Sequence, residues 1–370
     1  MYFSNSTPKP NIAKRFFFGV HSLTMAFLVV TGTAHAAPTA PSSMPAKPMA
    51  AAAPAATLIG RSTSWSPAYT GDFDHFAVDT RRNRLLLAAE DHGTVEVFNL
   101  NTGIHERTLT TFATPHAILY LPDVDRLIIT DSGTVGTQIL DAKSYKVIGR
   151  IKLAPGADSM TYDAQSHRLY IVSGGKDVGM KDCFLNEVDP DTGHVYRKLV
   201  FQSDNVQAVA AEANGDRLFV NVAGNNTVAV VDKTTLKVIA DWPLTGAQTN
   251  LTMALDEADH RLFVGTRNPS KLFVLNTDTG AVVASLAAPA TSDGLFYDSA
   301  LKRIYIPGGD GFLGVYQQQD ADHYVQLARV ASAPGAKSGM LLPSLNRIYL
   351  AVSPGDNGKG GAILWFGLVP

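Results

Sequence analysis

Seven copies of one short run, an arginine followed by three aliphatic or aromatic residues, pace this chain from end to end. They read NRLLL at Arg84, DRLII at Arg126, HRLYI at Arg168, DRLFV at Arg217, HRLFV at Arg261, KRIYI at Arg303 and NRIYL at Arg347. Successive arginines stand 42, 42, 49, 44, 42 and 44 residues apart. The period from Leu251 to Leu286 holds four short apolar, β-branched runs separated by turn residues, each too short for a helix. One period is therefore expected to be a four-stranded antiparallel sheet. A lone sheet of this kind cannot bury both faces and must stack on neighbours. The expectation is an all-β chain forming a single seven-bladed β-propeller over residues 57–370.

Composition agrees where it bears on this. Charged residues are scarce at 17%, while 31 Gly and 20 Pro suit a chain of many turns. The one cysteine, Cys183, has no intramolecular disulfide partner, so packing alone must hold the fold. In the seventh copy the third strand, Ala362 to Leu368, runs into the C-terminus and leaves that blade one strand short. The run TLIGRS at 57–62 matches the fourth-strand run VIGRI of the second copy. It is expected to pair with Ala362 to Leu368 and close the ring, which removes two open sheet edges.

The N-terminus reads as an export signal over residues 1–36. Lys9, Lys14 and Arg15 precede an apolar run from Phe16 to Val30, and Ala34-His35-Ala36 offers a small-x-small cleavage site. About 15 apolar residues fall short of the ~20 that span a bilayer, so no transmembrane segment is expected in the mature chain. Residues 37–56, almost all Ala, Pro, Ser, Met and Thr, read as a tether. A periplasmic or secreted monomer is the resulting expectation. Cleavage would leave 28 basic residues against 33 acidic ones, which argues against a general polyanion surface.

The repeats resemble the YVTN-type propeller family, including YncE-like periplasmic propellers, with a WD40-like blade period. The sixth copy carries the likeness best, with Ser292-Asp293-Gly294-Leu295 and Asp298 ahead of Arg303-Ile304-Tyr305-Ile306. The tetrapeptide behind the family name is degenerate, as LFVNV at Leu218 and LFVGT at Leu262. The resemblance implies an exported, nonenzymatic binding or scaffold protein. Some YncE-like members are associated with single-stranded DNA, but no motif for it carries over to residues here.

Strand parity assigns loops to faces. If inner strands start at the top, the loops entering them and the loops joining strands two and three share that face. The residues ten before each arginine then ring the upper mouth of the channel: Asp74, His116, Asp158, Gln207, Leu251, Asp293 and Lys337, with Asn250 beside the apolar Leu251. Two readings stay open, polar groups that merely line a hydrated channel, and a convergent site for a small molecule, peptide or protein. Two longer loops share the top, Gly174 to Cys183 with Lys176, Asp177 and Lys181, and Ser353 to Gly361 with Asp356. Asp79, Asp163, Glu212, Asp256 and Asp298 recur five before their arginines and are expected to cap bottom turns, as is the run from Asp189 to Gly193.

No nucleophile elbow, zinc motif, paired Cys-x-x-Cys or phosphate loop is present, so no catalytic residue, resident metal or cofactor is assigned. The alternative is a metal-dependent lactonase or lyase. Asp74, Asp158 and Asp293, with Asn250 or Gln207, would offer calcium or magnesium hard oxygen ligands at the channel mouth, and His116 a base. Because these carboxylates come from blades one, three and six, they need not converge. Single-stranded DNA, drawn by Lys337, Lys176 and Lys181, is the lesser alternative.

Overall fold

The computed structural model describes residues 55–62, 69–134, 136–355 and 361–369. Among these, strands form seven four-stranded antiparallel sheets arranged as propeller blades. Every second strand opens on the repeated arginine: Arg84–Ala89, Arg126–Asp131, Arg168–Gly174, Arg217–Val222, Arg261–Asn268, Arg303–Gly308 and Arg347–Val352. The residue before the arginine has a reason of its own. Asn83, Asp125, His167, His260, Lys302 and Asn346 all hold φ between 50° and 56°, the left-handed region that closes the tight turn between strands one and two. Asn and Asp tolerate it best.

The second strand is apolar on both sides because both sides are covered. In blade 1, Leu85 and Leu87 enter a cluster with Tyr349, Ala351 and Ile363 of blade 7, while Leu86 and Ala88 enter one with Leu127 and Ile129 of blade 2. The same arrangement repeats at each of the seven seams between adjacent blades. The hydrophobic core is thus distributed over seven interfaces, each made by a sheet that is unstable alone.

Ring closure is as the sequence implies. Ala56–Ser62 pairs antiparallel with Ala362–Leu368, with Ala56 opposite Leu368 and Ser62 opposite Ile363, and completes the sheet begun by Ser338–Leu342 and Arg347–Val352. One boundary moves. Ala55 and Ala56, expected in the tether, are buried at the seam between blades 6 and 7, because the closing strand starts one residue earlier than its sequence match suggests. The export signal and the rest of the tether lie outside the described residues. Among those described, no helix is long and apolar enough to cross a membrane.

Candidate functional site

The bottom face is occupied by its own turns. Asp298 accepts the N–H groups of Ala300 and Leu301 at 3.0 and 3.1 Å, and Asp163 accepts that of Gln165 at 3.1 Å. Asp189 accepts those of Asp191 and Thr192 at 2.9 and 3.0 Å, and Asn276 does the same for Asp278 and Thr279. These side chains satisfy turn amides and have no call on a ligand.

Asp163 has a second task. Its carboxylate lies 2.9 Å from the Lys233 ammonium, both buried, and accepts from Ser166 at 2.7 Å. Burial pushes the carboxyl up, but Lys233 and Ser166 more than offset this, so it titrates below the ordinary range. A depressed folded-state pKa adds stability above the unfolded value near ~3.9 and loses it as pH falls through the folded one. Urea midpoints of the wild type should therefore drop as the solution is acidified below about pH 4. Asp163→Asn should be weaker at pH 7 and flatter on this acid limb, and an acid limb as steep as the wild type's would contradict the assignment.

At the top, a cavity of about 510 Å³ opens on the channel axis. Asp74, His116, Asp158, Gln207, Asp293 and Lys337 all line it, contributed by blades 1, 2, 3, 4, 6 and 7. Lys176 and Asp177 reach it from the long loop of blade 3. A neighbouring cavity of about 440 Å³ shares Glu90, His116, Asp158 and Gln207 with it, so the two form one cleft.

Two expected residues are not part of it. Asn250 is buried and donates through Nδ2 to Asn221 Oδ1 at 3.0 Å and to the Thr227 carbonyl at 2.9 Å. It therefore ties blade 4 to blade 5, and Leu251 faces the cavity instead, because successive strand residues point to opposite sides. Lys181 is exposed and does not line the cleft. Asp356 lies outside the described residues.

The cleft has two electrostatic halves. On the side of blades 5 to 7, Asp293 accepts from Arg267 at 2.5 Å and lies 3.1 Å from Lys337 Nζ, which also donates to Asp72 at 2.7 Å. Burial disfavours the Lys337 ammonium, yet Asp293 and Asp72 outweigh that and hold its pKa above the usual lysine value. The cations here are engaged by carboxylates, so they do not offer the free basic groove that a nucleic-acid backbone requires.

On the side of blades 1 to 3, His116 Nδ1 donates to Asp74 Oδ2 at 2.7 Å and sits 3.9 Å from Asp158 Oδ1, while Nε2 bonds Ser132 Oγ at 2.8 Å. His75 contacts the other oxygen of Asp74. Burial opposes both imidazolium ions, but the surrounding carboxylates lift His116 to about 10 and His75 to about 9. Asp74 moves the opposite way: burial would raise its carboxyl, and the two histidines hold it well below the usual range. Burial pushes Asp158 up, and pushes Glu90 up to about 7 with help from the Asp74 charge. Asp74 and Asp158 thus converge on one histidine, whereas Asp293 is held across the cleft by Arg267 and Lys337.

Glu90, Arg267, His75 and Asp72 were not picked out in the sequence. Glu90 had a legible signal, since it sits in the 3-10 turn Glu90–His92 between strands two and three of blade 1, a loop class that parity places at the top. Arg267 shares that parity, at the end of the second strand Arg261–Asn268 where it turns into the third, but no recurring residue type at that place singled it out. Cys183 is buried and its thiol is pushed up by burial, which suits packing and not reactivity.

No protein-family model matches the sequence, and no curated protein matches it. Among solved structures, a chain from the crystal structure of the mitotic checkpoint complex superposes with a TM-score of 0.66 at 16% identity, covering 95% of this chain and 100% of that one. At that identity the likeness shows the fold alone. The chain is a seven-bladed β-propeller.

Proposed function

We propose that this propeller is an exported binding module of the YVTN type, holding a small polar ligand in the cleft at the top of its channel. A propeller fold fits a binding or scaffold role, and the rigid blades position loops and strand ends for it. What supports the location is the gathering of charged and polar side chains from six blades around one cavity of about 510 Å³. A cavity of that size suits a small molecule, and charge separated into two halves orients it. The export reading rests on residues 1–36, and processing there should leave Ala37 as the first residue of the protein recovered from the periplasm or medium.

The test is a thermal-shift screen of the purified chain against amino acids, dicarboxylates, sugars and short peptides. A ligand at 100 times its Kd stabilises the folded state by about 2.7 kcal/mol, a shift of several degrees. The expected result is a hit whose shift disappears in both Asp158→Asn and Lys337→Met. A panel without hits, or a shift that survives both substitutions, would place the ligand site elsewhere.

A further inference from the structure

Glu90 stands apart from the other charged groups of the cleft. Among the described residues its carboxylate has no hydrogen-bond or ion-pair partner, although it lines both cavities and is half-buried. One donor atom each from Glu90, Asp74 and His116 lies within 4.8 Å of the other two. Donors around a single ion at about 2.1 Å lie about 3–4 Å apart, so small side-chain rotations would close the set. Asp74 and His116 are both buried, so most of that movement falls to Glu90, while His116 and Asp74 need only open slightly from 2.7 Å.

We propose that Asp74, Glu90 and His116 form a site for a first-row divalent cation, with its remaining coordination positions open to the cleft. The inference deepens the binding-module reading and rests on it only for what occupies those open positions. His116 is prepared for this role by Ser132. The serine hydroxyl, 2.8 Å from Nε2, fixes the ring with Nδ1 turned toward Asp74, as an outer-shell partner does for a metal-bound histidine. The cation takes the place of the proton that Nδ1 and Asp74 share, and satisfies the Glu90 carboxylate at the same time. Asp158, 3.9 Å from Nδ1, is placed to approach as a further oxygen or to accept from bound water.

The donor chemistry selects the ion. One imidazole nitrogen with two carboxylates suits zinc or manganese better than calcium, which prefers six to eight oxygens. Three protein ligands with an open side are also the pattern of a site that binds something through its metal, and not of a closed structural one. This set differs from the all-oxygen site of the lactonase or lyase alternative, drawn from Asp74, Asp158 and Asp293, because Asp293 is committed to Arg267 and Lys337.

Isothermal titration of the chelator-stripped protein with zinc and with manganese chloride tests this, with calcium and magnesium chloride as comparisons. One zinc or manganese ion per chain is expected, with calcium and magnesium weaker. Glu90→Gln and His116→Asn should each weaken zinc at least ~10-fold, and Ser132→Ala by about 10-fold through the ring orientation alone. Asp241→Asn, an exposed carboxylate on an outer strand, controls for adventitious surface binding and should change nothing. Glu90 makes no structural contact that its amide would break, so Glu90→Gln decides the matter even if His116→Asn folds poorly. Zinc affinity unchanged in Glu90→Gln, or calcium bound as tightly as zinc, overturns the site. If zinc fails while a panel ligand still shifts melting in a Lys337-dependent manner, the metal is wrong and the ligand cleft stands. If both fail, the cleft is not a binding site of either kind.

Discussion

Deleting residues 57–62 should destabilise the whole propeller, not just its edge. The deletion removes a strand paired from Thr57 opposite Gly367 to Ser62 opposite Ile363, and opens the seventh blade along its full length. Each backbone hydrogen bond lost contributes about 1 kcal/mol net, and the seam residues Leu364, Phe366 and Leu368 of the partner strand lose part of their cover. A loss of about 5 kcal/mol or more follows, which lowers the melting temperature by roughly 10 °C. Cooperativity makes the effect global: each blade buries its faces only against its neighbours, so an incomplete seventh blade weakens its seams with both blades beside it. Gly60→Val should reproduce part of the loss, since a Cβ at Gly60 would lie 2.1 Å from the Trp365 indole. Melting curves of the deletion that overlay the wild type would refute the closure as a source of stability.

Glu96→Ala should cost about 3–5 kcal/mol, the largest effect expected of one side chain here. Glu96 is fully buried in the third strand of blade 1, and its carboxylate collects four donors. Thr94 and Thr108 donate through their hydroxyls at 2.7 Å each, His105 Nε2 lies at 2.7 Å, and the Tyr69 hydroxyl donates as well. Burial and the bond to Glu96 raise the Tyr69 pKa, as expected of a phenol committed to donating. Alanine would remove the acceptor that all four donors share, whereas Glu96→Gln keeps an acceptor and should cost about 1–2 kcal/mol. Urea denaturation of the two variants reads the difference directly. An alanine variant within 0.5 kcal/mol of the wild type, by the same order-of-magnitude reckoning, would mean that water replaces the carboxylate.

These two expectations differ in how much of them could be read beforehand. The closing strand was visible because TLIGRS repeats a fourth-strand pattern and the seventh copy lacks one. The network around Glu96 was not, since Tyr69 stands 27 residues before it and Thr108 12 after it, and no period links them. The cleft divides in the same way. Asp74, His116, Asp158, Gln207, Asp293 and Lys337 share one offset from the repeated arginine, so periodicity alone collected them. Asn250 does not have that offset, and its side chain turns into the seam between blades 4 and 5.

The chain's periodicity by itself determined the number of blades, the strand that closes the ring and which residues begin the inner strands, because each follows from local pattern repeated at a fixed interval. Only the tertiary structure decided which of those residues pair, that Arg267 and Lys337 neutralise Asp293, and that Glu90 joins Asp74 and His116. Such pairings depend on distances between loop and strand ends within a blade or between adjacent blades, which no repeat interval fixes. Strand patterns encode the direction in which a side chain leaves its own sheet, and carry no information about what it meets on the other side.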